Sequence, residues 1–475
     1  MKKNKENLVL ETDIEYEGIA KYMPIIICGG FFLLSILLFA FGPFDWNVNN
    51  ENRLYIFLIS SFFALILGYV TGTRIKVKKK LFSYNMDYLM YIAFIVYIVM
   101  YIAICYITTG KLYPDIYTGL FNSGLAYKMS HSPLTKLGTY VTYANIILSP
   151  LVSMIIPYFL IYKKNRSKKI KIIGYSVLVL NLIRGISQGV ISAYAIFSFQ
   201  IIMFLIIYLF SNLKKESLKK KIGIVLIIIM LCISFLLYYK IVMGNRLAAD
   251  ASYSTDSNYV KEKANNSKKN DNKKNSETAN DVNVLLDSSA EYITHALIKD
   301  KHIFSFLPES IQGSLNHIIS YVTHGYKGLS FALQKKFTSS YGLGFSDFFR
   351  HNFLKIIGKS NLEQEIYKRT YMFKILDNGW ETGAVWSSFF IYPASDIGFP
   401  MTIVLVFFIG LIFSLSWRDA LESKNVFAGV IFLNLCMIIC FFSANNVYFQ
   451  EGGSFLTMIT MSILWLLTKK FGKEG

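Results

Sequence analysis

The 475-residue chain is poor in the residues that build metal centres, disulfide frameworks and nucleotide loops. It has five cysteines, Cys28, Cys105, Cys232, Cys436 and Cys440, and all lie inside apolar runs. None has the spacing or polar setting of a metal site or a disulfide framework. Cys436 and Cys440 are one helical turn apart, with no His or carboxylate joining them, and read as core or lipid-facing residues. No HExxH or CxxC pattern is present, so no metal is implied, and no cofactor either. No GxxxxGK[ST] occurs, and no GxGxxG after a strand, so this chain is not expected to hydrolyse ATP. Residues 1–23 lack the apolar core and small-residue cleavage site of a signal peptide, so the first span is expected to stay as an uncleaved anchor. Internal repeats are absent, which speaks against a transporter built on inverted repeats. The dyad alternation of an outer-membrane barrel is absent too.

What fills the chain instead is apolar sequence. Hydrophobic residues make up 53% of it, and the mean hydropathy is +0.41. About 20 mainly apolar residues cross a hydrocarbon core about 30 Å thick. Runs of that kind lie near 24–44, 54–73, 87–108, 140–162, 172–189, 193–212, 222–243, 398–416, 426–443 and 454–470. A backbone in lipid must satisfy its own hydrogen bonds, which favours helices. The predicted fold is therefore an all-α polytopic membrane protein of about ten transmembrane helices.

The charge of +19 sits mainly in short loops between these runs. Lys2, Lys3, Lys5 and Lys21 precede the first run, and Arg74, Lys76 and Lys78–Lys80 follow the second. The same excess recurs at 163–171 and 214–221, at Arg418 and Lys424, and at 469–473. The alternate short loops are nearly free of Lys and Arg. By the positive-inside rule the lysine-rich loops and both termini are cytoplasmic, so the basic charge serves topology and nucleic acid is not an expected partner. The expected location is the bacterial plasma membrane. The long segment 244–397 then lies outside, between spans 7 and 8. Its first part, Asp250–Asn283, is Lys-, Asn- and Ser-rich and too polar to bury a core, so it reads as a disordered insert. Residues 284–397 recover apolar residues at helical spacing, with amphipathic stretches at Ile311–Leu333 and Asn361–Leu376, and read as a folded helical cap. A shorter outer loop, Gly110–Gly138, reads as a small second cap. Spans 8–10 occupy 398–470, with a cytoplasmic tail at 471–475.

Several groups near the outer face can carry chemistry. Arg184 sits in Leu182-Ile-Arg-Gly-Ile-Ser-Gln-Gly189, at the outer end of the fifth run. An arginine at that depth is costly and marks a functional candidate; its plain alternative is snorkelling to headgroups. Arg350 and Arg369 are further candidate phosphate ligands, because guanidinium pairs bidentately with phosphate oxygens. His324, in Tyr321-Val-Thr-His-Gly-Tyr-Lys-Gly328, is a candidate general base, with Glu381 second. Trp380, Trp386 and Tyr326 offer flat faces to a sugar ring. Asp396, Asn445 and Asn446 add polar groups at the same level.

Tyr321–Ser330, Tyr341-Gly-Leu-Gly344, Gly379-Trp-Glu-Thr-Gly-Ala-Val-Trp386, Ala394-Ser-Asp-Ile-Gly-Phe-Pro400, Ala444-Asn-Asn446 and Arg184-Gly185 together carry a resemblance. The chain resembles the bacterial oligosaccharide repeat-unit polymerases, also called O-antigen or Wzy-type polymerases, from about Pro24 to its C-terminus. It departs from them in the Asp250–Asn283 insert and in Gly-Tyr-Lys-Gly, where Gly-Tyr-Tyr-Gly is expected, so that Lys327 alters the expected sugar contacts. The resemblance implies a metal-independent glycosyltransferase. Such an enzyme moves a growing glycan from polyprenyl pyrophosphate to the non-reducing end of a new lipid-linked unit, for capsule, O-antigen or exopolysaccharide. Donor and acceptor are both polyprenyl-pyrophosphate-linked oligosaccharides, the polyprenyl tail lies among membrane lipids, and a flippase and a chain-length regulator are the expected protein partners. It further implies Arg184, with Arg350 or Arg369, on the pyrophosphate. His324, then Glu381, would act on the acceptor hydroxyl, and Tyr326, Trp380, Trp386, Asn445, Asn446 and Asp396 would line the sugar site. A glycan ligase, a flippase of lipid-linked glycans and a noncatalytic assembly protein are the other readings. The scarcity of ionisable residues in mid-span argues against the flippase.

Overall fold

A computed structural model describes residues 14–75, 80–81, 86–131, 135–162, 167–253, 286, 289–380, 382, 385–471 and 473–474. The expected insert lies outside the described residues from 254 onward, as does Glu381. The chain forms α1 (Met23–Phe41), α2 (Glu51–Arg74) and α3 (Met86–Thr109), then the short α4 (Ile116–Phe121) and α5 (Ser123–Ser130). Next come α6 (Lys136–Ser153), α7 (Ile155–Tyr162), α8 (Lys168–Ser187), α9 (Ile191–Ser211) and α10 (Leu218–Tyr253). The segment before the last apolar runs holds α11 (Glu309–Thr323), α12 (Gly325–Ala332), α13 (Asp347–Ile356), α14 (Glu363–Arg369) and α15 (Tyr371–Lys374). The chain closes with α16 (Ile391–Leu421), α17 (Val426–Cys440), α18 (Val447–Gln450) and α19 (Gly452–Phe471).

Among the described residues eight helices are long and apolar enough to cross a membrane: α1, α2, α3, the α6–α7 pair, α8, α9, α10 and α16. The chain is thus a helical, polytopic membrane protein. α17 is apolar but only 15 residues long, and α19 has 20 residues. The fourth apolar run is broken at Met154, because Pro157 has no N–H to give to Ser153 and its ring crowds that carbonyl. α16 bends at Gly398, whose φ of 77° only glycine adopts without strain, just ahead of Pro400. At 36 residues α10 runs about 54 Å, well beyond a hydrocarbon core of about 30 Å.

The centre of the bundle is the contact of α2 with α16. A Cβ on Gly68 would stand 1.9 Å from the Phe407 carbonyl oxygen, and one on Gly410 2.2 Å from that of Leu65. A Cβ on Gly72 would stand 2.7 Å from the Ser414 Cβ. Small residues spaced by four let the two backbones touch, which is how helices associate where lipid and leucine are equally apolar. Aromatic rings fill the rest: Phe57 meets Phe390 and Phe399 edge-on, and Phe413 and Trp417 stack on Phe432.

The helix ends fall into two groups. At one end β1 (Phe44–Asp45) pairs antiparallel with β3 (Leu297–Ile298), in register Phe44↔Ile298. The 289–397 segment docks here. The Tyr326 and Ser35 hydroxyls share a hydrogen bond of 2.7 Å, and the Lys327 ammonium donates to the Trp46 and, at 2.7 Å, the Asn47 carbonyls. Lys327 thus ties α12 to the α1–α2 loop, a role that a second aromatic at this place does not have; burial lowers its pKa. At the other end β2 (Lys80–Leu81) pairs with β4 (Lys473–Glu474). There buried Asp419 accepts from Trp465 Nε1 (2.9 Å) and Lys469 Nζ (2.7 Å), and Trp417 Nε1 donates to the Ala20 carbonyl (3.1 Å). The amphipathic stretch expected at Ile311–Leu333 is two helices that meet at His324, and Asn361–Leu376 is a chain of short turns with α14 and α15.

Gly68→Leu forces a side chain into a backbone-to-backbone contact, and overpacking of this severity costs more than about 3 kcal/mol. Detergent-purified Gly68→Leu should be unfolded or aggregated by size-exclusion chromatography, whereas Gly223→Ala, with open space at its Cβ, should match the wild type.

Candidate functional site

Arg184 is delivered by the turn between α8 and α9. The turn is closed by Gly189, whose φ is 61°, and a Cβ on Gly185 would meet the Ala193 side chain at 2.3 Å, so the two helices touch at their joint. α4 and α5 are laid over this joint: Gly119 abuts the Ile186 carbonyl and Gly189 the Ser123 carbonyl, each too closely for a side chain. Between α8 and α9 lies a cavity of about 260 Å³. Asn181, Arg184, Gln188 and Gln200 line it, with Ile196 and Phe197 among its apolar walls. Asn181 Oδ1 accepts from the Tyr97 hydroxyl at 3.0 Å. The Arg184 side chain makes no hydrogen bond or ion pair among the described residues. Its charge opposes the burial that raises the pKa of Glu451, at the head of α19. Arg184 is half-buried and shares the lining of this cavity with three amide side chains.

His324 is placed by the break between α11 and α12. Its Nδ1 lies 2.6 Å from the Ser320 carbonyl oxygen, which can only accept, so Nδ1 carries the proton and Nε2 keeps its lone pair. The ring is buried at 1% exposure between Trp380 and Trp386, with centroids 6.4 and 6.2 Å away at interplanar angles of 31° and 32°. Tyr321 meets both His324 and Trp386 edge-on. Burial pulls the His324 pKa down to about 4, so the imidazole is neutral at pH 7. Its Nε2 has no partner among the described residues, and neither does the Oγ of buried Ser388, whose N–H donates to the Gly325 carbonyl beside it. Two buried polar atoms next to Gly325 are thus without a partner among the described residues. Trp380 is fixed by its Nε1–H to Ser387 Oγ (3.0 Å), while Trp386 is half-buried.

The remaining expected site residues have other work. Tyr326 is fully buried against Ser35. Asp396 accepts from Ser340 Oγ (2.6 Å), Gly342 N (2.9 Å) and Gly344 N (3.0 Å), and so clamps the 340–344 loop to α16. Asn445 Oδ1 accepts from the Tyr392 hydroxyl (2.8 Å), and Asn446 Nδ2 donates to the Phe345 carbonyl (2.7 Å). Arg350 is buried, paired with Asp347 at 2.6 Å and stacked on Tyr367. Arg369 donates to the Tyr341 hydroxyl at 2.7 Å and reaches Glu365 at 3.8 Å. Arg350 and Arg369 are ion-paired; Arg184 has no ion pair among the described residues, and the acid its charge acts on is Glu451.

One cation escaped the sequence reading. Arg246 lies on the part of α10 that extends past the expected span, with its guanidinium carbon 3.7 Å above the Tyr127 ring. No carboxylate pairs with it among the described residues. In sequence it looks like an ordinary charge closing an apolar run; only Tyr127, brought from α5, marks it out. Nearby His317 is buried, shares a short hydrogen bond with the Tyr239 hydroxyl and sits 3.1 Å from Ser289 Oγ. Burial, together with the charges of Arg246 and His324, lowers its pKa to about 3.

No family model, no curated protein and no solved structure matches this chain. The fold and the two polar clusters define a helical membrane protein with an unpaired arginine cavity and an aromatic-walled, neutral histidine.

Both histidines bind protons more weakly when folded than at their ordinary value of 6.5. The unfolded chain therefore carries the extra protons, and the stability linked to these groups is intact above about pH 6.5 and is lost as pH falls toward 4. The apparent melting temperature of purified protein should drop across that window, and His324→Gln should make the drop shallower. An unchanged slope in the variant would mean that His324 is not the buried neutral group described.

Proposed function

We propose that this chain is a bacterial plasma-membrane polymerase of lipid-linked oligosaccharide repeat units. In this reading α17 and α19 complete a set of ten spans, the lysine-rich end and both termini face the cytoplasm, and the 289–397 segment is an extracytoplasmic cap. The observation that carries the reading is the Arg184 cavity, a largely apolar recess at a helix joint on the cap's side of the bundle, lined also by the amides of Asn181, Gln188 and Gln200, whose arginine makes no ion pair among the described residues.

The chemistry is a substitution at an anomeric carbon. An acceptor hydroxyl attacks C1 of the donor glycan, the bond from C1 to the phosphate oxygen breaks, and polyprenyl pyrophosphate leaves with the bonding pair. Arg184 stabilises the charge gathering on that leaving group. The hydroxyl proton goes to His324 Nε2, the unprotonated nitrogen of a neutral ring. Trp386, the half-buried member of the indole pair, offers a face that suits a sugar. Ser388 Oγ, unsatisfied beside Gly325, is a second contact for the hydroxyl. Glu381 stands next to Trp380 in sequence and is the alternative base. Much of the rate would come from holding two lipid-linked substrates together at the membrane surface.

Purified protein given a synthetic polyprenyl-pyrophosphate repeat unit, with no nucleotide sugar, should yield a glycan ladder. Arg184→Ala should reduce the ladder by about 100-fold or more, the scale of losing one charge-stabilising donor. Transfer to an unrelated acceptor with no ladder would indicate a ligase. Lipid movement across liposomes with no new glycosidic bond would indicate a flippase.

A further inference from the structure

We infer that α4 and the turn leading into it are a lipid-contacting surface, with Leu112, Tyr113, Ile116, Tyr117 and Phe121 lying at the boundary between headgroups and acyl chains on the cap's side of the bundle. The inference needs only a chain that spans a membrane and is independent of the polymerase reading.

The face is set by how α4 is fastened. Gly119 is pressed on the Ile186 carbonyl, so the joint of α8 and α9 takes that side of the helix. At about 100° per residue, Tyr117 and Phe121 each stand about 160° away from Gly119. They face away from the bundle as a pair, with ring centroids 5.0 Å apart, and are 74% and 67% exposed among the described residues. Leu112, Tyr113 and Ile116 are exposed as well. A cluster of this kind marks an interaction surface. Asp115, the only carboxylate between Gly110 and His131, is paired with Lys111 and accepts the Thr118 N–H at 3.1 Å, so the segment brings no lone negative charge to the patch.

The level of the patch follows from α10. Ser123 Oγ donates to the Val242 carbonyl (2.9 Å) and Asn245 Nδ2 to the Leu120 carbonyl (3.0 Å), which fixes α4 and α5 beside residues 242–245. About 20 residues of helix cross the hydrocarbon core. Counted from Ile222, the first apolar residue after Lys219, Lys220 and Lys221, they end near Val242. α4 therefore lies at the edge of the core and not above it.

The patch is also continuous with two lipid-facing surfaces. On α3, Tyr88, Ile92, Ile95, Val99, Ile102 and Tyr106 recur at three- and four-residue steps and are all exposed, the outward stripe of a span. Leu112 and Tyr113 follow that stripe directly, after a turn at Gly110 with φ of 71°. On α10, Leu237 and Ile241 are exposed just before Val242. Tyrosine and phenylalanine joined to both surfaces, with Lys111 at the rim, have the composition of an interfacial belt. The occupant that already covers the neighbouring stripes is lipid. α4 is then held between the bilayer on one face and the joint that carries Arg184 on the other.

The test uses the full chain in phosphatidylcholine–phosphatidylglycerol nanodiscs. Cys232 and Cys440 are replaced by alanine, the other native thiols being buried. A nitroxide is attached at Tyr117→Cys or at Phe121→Cys. Power saturation then reads its collisions with oxygen, which concentrates in lipid, and with a water-soluble nickel chelate. Ile95→Cys, in mid-span, is the lipid reference, and Lys215→Cys, in the lysine-rich loop, is the aqueous one. Both patch sites should give an oxygen-to-nickel ratio well above that of Lys215→Cys and approaching that of Ile95→Cys. In a separate Tyr117→Trp variant, lipids brominated near the headgroup should quench the added fluorescence more than lipids brominated at the chain end. A ratio at the level of Lys215→Cys places the face in water and overturns the inference. Few collisions with either reagent mean that protein covers the face, either a second copy or another part of this chain, and overturn it as well. Stronger quenching from the chain end removes the patch from the boundary and does the same.

Discussion

The touching backbones of α2 and α16 set the position of everything on the cap's side of the bundle. With Gly68, Gly72 and Gly410 at the contact there is no side chain to slide, so α16 is held in one register along α2. From that register the Gly398 bend aims the first turns of α16 at the cap. Asp396 then clamps the 340–344 loop, and Ser395 Oγ accepts the Tyr371 N–H at 2.9 Å. Just ahead of the helix, Ser387 fixes Trp380 and Ser388 meets Gly325, the residue after His324. The histidine is thus reached from the membrane core by a continuous path of short contacts.

Charge placement separates structure from chemistry in this chain. Asp419, Arg350, Arg369 and Lys327 each find partners, and each holds two segments together. Arg184, beside the turn of α8 and α9, and Arg246, on the extension of α10, are half-buried and have no ion pair among the described residues. The neutral, unpartnered Nε2 of His324 is the complementary case, a lone pair kept out of water.

Eight of the expected spans were legible in sequence because their signal is length and hydropathy, and most of their ends agree with the observed helices to within a few residues, α10 running ten residues further, to Tyr253. The exceptions have local causes. Pro157 divides the fourth run, and Gly398 lets α16 begin earlier than its apolar stretch. The polar groups were harder. Nothing in the spacing of Tyr326 or Lys327 says that one hydroxyl meets Ser35 and the other side chain caps the Trp46 and Asn47 carbonyls, because those partners are about 280 residues away. Asp396, a candidate sugar ligand in sequence, accepts from three backbone or hydroxyl donors, which its spacing does not reveal. Arg246 looked like a boundary charge. What distinguishes a working residue from a fastening one here is the identity of its partner, and that depends on the tertiary fold.

The central claim is that Arg184, not the paired arginines, receives the pyrophosphate. Binding of undecaprenyl pyrophosphate to the full chain in nanodiscs, compared among wild type, Arg184→Ala and Arg369→Ala, tests it most directly. The account predicts a loss of at least about tenfold in affinity for Arg184→Ala, the scale of one charge-assisted contact, and near wild-type binding for Arg369→Ala. Equal binding by wild type and Arg184→Ala, or a loss confined to Arg369→Ala, would contradict it.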